Sequence, residues 1–119
     1  MTTLFPSQII WVTILDPLGR NPKSRPAVIH TISTDGMATV VAITSQTGAA
    51  PPDVSVAIPW HRNGHPRTKL KKPSVAVCTW IDRVPFAAIQ PTAGRVPMDA
   101  MERIAEIVNR LLAQVPRAD

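Results

Sequence analysis

The chain has 119 residues, 45% of them hydrophobic, and a formal net charge of +5. That length is typical of one domain, and that hydrophobic fraction can build a core, so the composition excludes wholesale disorder. We therefore expect a single domain over residues 1–119. The excess of positive charge favours a polyanionic partner but does not say which polyanion.

The composition also excludes several classes of function. Tyrosine is absent, and there are only two Phe and three Trp, so a broad aromatic platform for stacking RNA bases is not expected. The single cysteine, Cys78, excludes an internal disulfide and a cysteine-based zinc cluster. The first residues lack the pattern of a secretory signal, and no apolar run approaches the ~20 residues that span a bilayer. We expect a cytoplasmic protein without a cofactor or a membrane partner.

The first half of the chain reads as three β-strands. Residues 8–15 are rich in β-branched and aromatic types and predict the first strand. Residues 26–33 and 37–44 predict the second and third, and the short turn between them predicts an antiparallel hairpin. A short loop with two positive charges, residues 19–24, precedes the Arg25-Pro26 step. Because proline favours extended geometry in the residue before it, Arg25 should lie where this loop meets the second strand.

The second half adds shorter strands and one helix. Residues 54–58 and 74–80 alternate in the period of a half-buried strand, and shorter β-like pieces cover 84–89 and 92–96. Residues 97–114 change to a helical period, with an apolar stripe that includes Met101, Ile104, Val108 and Leu111. We expect a mainly β chain with a C-terminal helix packed on a small closed barrel or a strongly curved sheet.

The segment 62–72 is the strongest electrostatic signal in the sequence. It carries His65 and several lysines and arginines with no acidic residue, and its Gly and Pro indicate a loop. A solvated run of charge is one interpretation. The other is a surface that binds a phosphate backbone, which would relieve the self-repulsion of these charges.

A second candidate site follows from the predicted hairpin. The start of one strand and the end of the next are neighbours in an antiparallel pair, so Arg25 should lie near Thr44 and Ser45, opposite the turn. A guanidinium held beside two hydroxyls is suited to phosphate oxygens. Other chemistries lack support. The three histidines, His30, His61 and His65, have no metal-ligand spacing, no GxSxG motif occurs, and Cys78 reads as a core residue.

In their order and spacing these elements resemble the MazF/PemK (Kid-like) toxins of bacterial type II toxin–antitoxin modules. The likeness covers residues 8–113. The residues that carry it are Leu15-Asp16-Pro17 with Gly19, Arg25-Pro26-Ala27-Val28-Ile29, Val41-Ala42-Ile43-Thr44-Ser45-Gln46, Ser74-Val75-Ala76-Val77-Cys78, Gly94 and the terminal helix.

The resemblance implies an SH3-like β-barrel of the CcdB/MazF/PemK type, acting as a homodimer that cleaves single-stranded RNA or mRNA without a metal. Members of the family leave a 2′,3′-cyclic phosphate and a 5′-hydroxyl, arrest growth, and are inhibited by a cognate antitoxin protein. Carried onto this chain, the catalytic arginine is Arg25 and the catalytic threonine is Thr44. The residues expected to contact RNA are Arg20, Lys23, Ser45, Arg62, Arg67, Lys69 and Arg83.

The sequence departs from the family pattern around residues 79–85. Many members carry a second arginine and an aspartate in this region. This chain has neither residue at the matching position, although Asp82 and Arg83 stand nearby. Two alternatives therefore stay open. The chain could be a related barrel toxin that poisons a DNA topoisomerase (gyrase) by protein contact, or a member that binds RNA or a partner without catalysis.

Overall fold

The computed structural model describes residues 3–48 and 50–114. The described residues form a mainly β protein with a C-terminal helix, as the sequence predicts. The helix and strands are β1 (Gln8–Ile14), β2 (Lys23–Ile32), β3 (Met37–Thr44), β4 (Ser55–Ile58), β5 (Ser74–Pro85), β6 (Gln90–Arg95) and α1 (Met98–Ala113), with single 3₁₀ turns at Pro52–Val54 and Phe86–Ala88.

All six strands belong to one antiparallel sheet in the order β4-β5-β3-β2-β1-β6. The β2–β3 hairpin is confirmed, with Ala27 opposite Ala42. The expected closure into an SH3-like barrel is wrong, because within the described ranges β4 and β6 are the two edges of the sheet and do not pair. β4 is only four residues long, and α1 packs against β4 and β5. The helix thus covers the apolar face of the sheet near the β4 edge.

The strands contribute side chains to two apolar clusters, because successive residues of a strand point to opposite faces. Val28 and Val41 belong to the first cluster, which includes Ile104 of α1. Their neighbours Ile29 and Val40 belong to the second, against which Trp80 packs. Burial on both faces explains why β3 is a nearly continuous apolar run rather than an alternating one.

The helix α1 matches its prediction to within one residue at each end. Ala100, Ile104 and Val108 form its buried stripe. Pro97 is the residue just before the helix rather than its first residue, and Arg110 in the last turn complements the helix dipole. In the described part of the chain, no helix has the length and apolar character that crossing a membrane requires.

Two predicted boundaries are corrected. Strand β2 begins at Lys23, so Arg25 lies inside a strand and not at its junction with the loop. The pairing between β2 and β3 starts only at Ala27. Pro26, which has no backbone N–H to donate, therefore interrupts no hydrogen bond between these two strands. The β-like piece over 84–89 is also different, because β5 continues to Pro85 and the chain then turns through Phe86–Ala88.

Candidate functional site

A cleft of about 710 Å³ opens where the hairpin ends meet two loops. Arg25 of β2 and Thr44 of β3 both line it, which confirms that the hairpin brings them to one place. The segment 68–72 forms another wall of the cleft, and Asp16 and Pro17 of the β1–β2 loop also contribute. The two candidate sites identified in the sequence therefore form one site.

The guanidinium of Arg25 is held by an aromatic ring. Its Cζ atom lies 4.9 Å from the ring centroid of Trp80. The Nε atom of Arg25 is buried and has no hydrogen-bond partner among the described residues. Nor does any carboxylate in residues 3–48 and 50–114 form an ion pair with Arg25. The cation is therefore fixed by stacking, while its charge stays available to a ligand.

Trp80 is a site residue that the sequence reasoning missed. It reaches Arg25 because the β3–β5 pairing jumps from Val41 opposite Ile81 to Ile43 opposite Ala76. Residues 77–80 of β5 thus face a single residue of β3, a large bulge of the kind that redirects side chains next to functional sites. Its indole N–H donates to the carbonyl of Leu15 at 3.0 Å. No local pattern in the sequence records this register shift.

The hydroxyl of Thr44 is oriented by its own strand end. The backbone N–H of Gln46 donates to Thr44 Oγ1 at 3.1 Å. A hydroxyl that accepts such a bond still has its proton to donate. Thr44 is half-buried, and Ser45 beside it is exposed and lines the cleft. The hairpin end can therefore offer a hydroxyl donor to a ligand bound against Arg25.

The β1–β2 loop is shaped by one carboxylate. Asp16 accepts hydrogen bonds from the backbone N–H groups of Leu18 (3.0 Å) and Arg20 (2.8 Å) and from the amide of Asn21 (2.9 Å). These hydrogen bonds lower the pKa of Asp16 below its usual value, and the bond from the N–H of Arg20 has the largest effect. Because its oxygens are already engaged, Asp16 acts as the organiser of this loop.

The basic segment 62–72 and the preceding His61 form one loop, which we call the basic loop. Hydrogen bonds between its own residues hold this loop in shape. The N–H groups of His61 and His65 both donate to the carbonyl of Leu70, at 3.1 Å each. Each imidazole also accepts a bond: Nδ1 of His61 from Asn63 N–H and Nδ1 of His65 from Arg67 N–H, both 3.1 Å. Both histidines therefore stabilise the turns of the loop.

A buried threonine attaches this loop to the sheet. Thr68 is 1% exposed, and its hydroxyl donates to the carbonyl of Pro59 at 2.7 Å while accepting from Leu70 N–H at 3.2 Å. The N–H of Arg95 in β6 donates to the carbonyl of Arg67 at 2.9 Å. The loop is thereby fixed in place against β6.

The charge of the cleft lining is strongly positive. Asp16 is its only carboxylate within the described ranges, and that group is occupied by the β1–β2 loop. Such a lining attracts an anion with several charges along its length. The cations of the lining are Lys23, Arg25, Lys69, Lys71 and Lys72.

The predicted RNA-contacting residues divide into three groups. Lys23, Ser45 and Lys69 line the cleft. Arg20, Arg62 and Arg67 belong to the two loops that border it but are not part of its lining. Arg83 lies at the opposite end of the hairpin, where its guanidinium pairs with Asp35 of the β2–β3 turn at 2.5 Å. The structure does not bring Arg83 to the cleft.

Two further residues with side chains capable of chemistry, His30 and Cys78, are buried. Burial lowers the pKa of His30 and raises that of the Cys78 thiol to about 11, so the cysteine is a protonated core residue, as expected. In the described residues, no three His, Cys, Asp or Glu side chains are grouped as metal ligands would be.

The described residues thus form an open antiparallel sheet with a terminal helix, and a cationic cleft in which an arginine and two hydroxyl side chains line the same wall. A family model described as "PemK-like, MazF-like toxin of type II toxin-antitoxin system" matches residues 6–112. The chain therefore belongs to the PemK/MazF family of toxins, which confirms the resemblance seen in the sequence.

Solved structures of the family share the fold at low sequence identity. MazF (Form-I) from Deinococcus radiodurans superposes with a TM-score of 0.73 at 15% identity, over 96% of this chain and 100% of that chain. Toxin MazF-mt6 of Mycobacterium tuberculosis gives 0.62 at 21% identity, over 92% and 97%. An endoribonuclease in complex with its cognate antitoxin, from Mycobacterial species, gives 0.67 at 14% identity, over 97% and 100%. A search of curated proteins found no match.

Proposed function

We propose that the protein is an endoribonuclease that cleaves single-stranded RNA in the cleft between the hairpin ends and the basic loop. The observation that carries the proposal is the shared position of Arg25 and Thr44 in a cleft lined by lysines. Membership of the PemK/MazF family supports it, and so does the fold shared with proteins described as endoribonucleases.

The reaction uses the substrate's own nucleophile. The 2′-hydroxyl of one nucleotide attacks the adjacent phosphorus, forming a 2′-O–P bond, and the P–O5′ bond breaks. The proton of the 2′-hydroxyl is given up as the bond forms, and the departing 5′-oxygen takes one up. The products are a 2′,3′-cyclic phosphate and a 5′-hydroxyl, so no water enters this step.

Arg25 and Thr44 stabilise the charge that develops in this step. The guanidinium of Arg25, held against Trp80, donates to the equatorial oxygens of the phosphorane and assists proton transfer. The hydroxyl of Thr44, oriented by Gln46 N–H, donates to a phosphoryl oxygen. Preorganised donors of this kind are each worth about 10²–10³ in rate when removed singly.

Lysines of the cleft hold the RNA strand through its phosphates. Lys23 and Lys69 lie on two walls of the cleft, and Ser45 adds a hydroxyl near the reacting group. The arginines of the bordering loops, Arg20, Arg62 and Arg67, would extend this contact beyond the cleft. The proposal also includes that the enzyme acts as a homodimer and cleaves at short sequence motifs without a metal. A cognate antitoxin protein would inhibit it.

A cleavage assay in EDTA tests the proposal. Purified protein is incubated with a long single-stranded RNA, and the fragment ends are identified by their chemistry. We expect cyclic-phosphate ends with the wild-type chain, a loss of about 10²–10³ in rate with Arg25→Ala or Thr44→Ala, and full activity with the matched control Arg110→Ala on the far end of α1. RNA left intact by the wild-type chain would refute the nuclease proposal, and unchanged cleavage by Arg25→Ala would refute the assignment.

A second candidate, RNA binding without catalysis, is favoured by one observation. The family's second arginine has no counterpart in the cleft, since Arg83 is engaged with Asp35 at the far end of the hairpin. In that case binding would weaken steeply with salt while no cyclic-phosphate product formed. The same assay separates the two functions.

A further inference from the structure

Trp80 and the catalytic arginine proposed above form a stacked pair inside the cleft. The guanidinium carbon of Arg25 lies 4.9 Å from the centroid of the Trp80 ring, and both residues line the cleft. Within the described ranges, the buried Nε of Arg25 has no hydrogen-bond partner. An arginine side chain has several freely rotating bonds, so its head needs a contact of this kind to keep one orientation.

The ring itself is fixed on two sides. The bulge over residues 77–80 turns Trp80 toward β2, and the indole N–H is tied to the carbonyl of Leu15. Leu15 directly precedes Asp16, whose carboxylate closes the β1–β2 loop through three hydrogen bonds. The orientation of Arg25 is therefore coupled through Trp80 to a loop that is itself held in shape.

We propose that Trp80 is a positioning residue for cleavage, which holds the guanidinium of Arg25 at the reacting phosphate. The guanidinium carbon lies over the ring, and this contact keeps the cation at one position in the cleft. A cation–π contact occupies none of the terminal N–H groups of the guanidinium, so they stay available to the phosphodiester, whereas a carboxylate partner would accept hydrogen bonds from them. This role rests on the proposed nuclease function.

A positioning role makes a specific kinetic prediction. Removing the ring should slow the chemical step and leave RNA affinity nearly unchanged, because the lysines of the cleft remain. From the usual strength of a partly buried cation–π contact, Trp80→Leu should lower the single-turnover rate at saturating RNA about 3- to 30-fold. The conservative Trp80→Phe, which keeps an aromatic face but loses the bond to Leu15, should recover most of that rate.

A double-mutant cycle separates positioning from a general structural effect. If Trp80 acts through Arg25, then Trp80→Leu should reduce the rate of the Arg25→Ala variant by less than about twofold. An equal loss in both backgrounds, or an undiminished rate in Trp80→Leu alone, would overturn the proposal. Phe86→Leu, which removes an aromatic ring outside the cleft, serves as the matched control and should cleave like the wild type.

A second measurement does not depend on activity. In ¹⁵N-labelled protein without RNA, the Nε–H resonance of Arg25 should show an upfield ring-current shift that is lost in Trp80→Leu and kept in Phe86→Leu. A resonance that is the same in all three proteins would show that the stacked pair is absent and refute the positioning role. If the wild-type chain shows this shift but does not cleave RNA, the nuclease proposal fails, and the positioning role in cleavage fails with it.

Discussion

Gly94 and Thr68 approach so closely that a Cβ atom on the glycine would lie 2.4 Å from the carbonyl oxygen of Thr68 and 3.1 Å from its carbonyl carbon. The glycine belongs to β6, and the threonine is the buried anchor of the basic loop. The N–H of Gly94 donates to Thr92 Oγ1 at 2.9 Å, and that hydroxyl donates to the carbonyl of Ile9 in β1 at 2.6 Å, so β6 is tied to its neighbour and cannot easily move away. The absence of a side chain at Gly94 therefore sets how near the basic loop lies to the sheet.

The first prediction concerns this contact. Gly94→Ala should destabilise the fold by about 1–3 kcal/mol, the usual cost of overpacking, because the clash is with backbone and not with a movable side chain. The free energy of unfolding from denaturant titration measures it. Gly48→Ala is the matched control, since a Cβ there meets nothing within 4 Å. Equal stability of the two variants would contradict the prediction.

The hydroxyl of Thr68 gives the second prediction. Thr68→Val keeps the shape of the side chain but leaves the Pro59 carbonyl without its donor and Leu70 N–H without its acceptor. Buried groups that lose their partners cost about 1–3 kcal/mol. Thr68→Ser should restore most of the loss, and Thr13→Val, at an exposed site of β1, should have little effect. If Thr68→Val unfolds at the wild-type denaturant midpoint, the hydroxyl is not an anchor.

The third prediction uses the titration of Cys78. Burial raises its pKa to about 11 in the folded chain, from an ordinary value of 9.0. The unfolded chain then loses the thiol proton first as the pH rises. The stability contributed by the protonated thiol is complete below pH 9 and declines between about 9 and 11, by up to about 2 kcal/mol.

Comparison with Cys78→Ala isolates this effect from the lysines that titrate in the same range. The variant lacks the thiol, so its unfolding free energy should fall less steeply with pH above 9 than that of the wild type. Parallel curves for the two proteins would show that the thiol does not couple to folding. Because the folded thiol stays protonated, it should also react with iodoacetamide slowly at pH 8.

The parts of the fold that follow local rules could be predicted from the sequence. The sequence predicts strand β3 at its observed bounds, Met37–Thr44, because this stretch is a β-branched run that follows a turn. Helix α1 follows from its apolar stripe. The common position of Arg25 and Thr44 required only one more step, the pairing of two strands across a short turn.

Features that depend on long-range register could not be predicted in this way. The open edges of the sheet result from which strands pair, and local periodicity carries no such information. Trp80 reaches Arg25 only through the bulge in β5. The pairing of Arg83 with Asp35 joins residues 48 positions apart. The sequence suggests an RNA contact for Arg83 because it stands near the position of the family's second arginine, but the fold pairs it with Asp35 instead.

The last prediction tests which positive charges contact RNA. Lys69→Gln and Arg83→Gln each remove one positive charge, so they change the net charge equally, but only Lys69 lines the cleft. Each phosphate contact on a single strand contributes about 0.7 to the slope of log K against log salt concentration. Lys69→Gln should therefore reduce that slope by about 0.7, while Arg83→Gln should leave it unchanged.

Fluorescence anisotropy with a short single-stranded RNA, 2′-O-methylated at every position so that no 2′-hydroxyl can attack, measures this slope. Losing Arg83 should change folding stability little, because both partners of its ion pair are more than half exposed to solvent and screening ions. Any change in its RNA affinity would then report contact and not unfolding. An equal reduction of the slope in both variants would mean that the strand extends over both ends of the hairpin, and that the cleft alone does not define the binding surface.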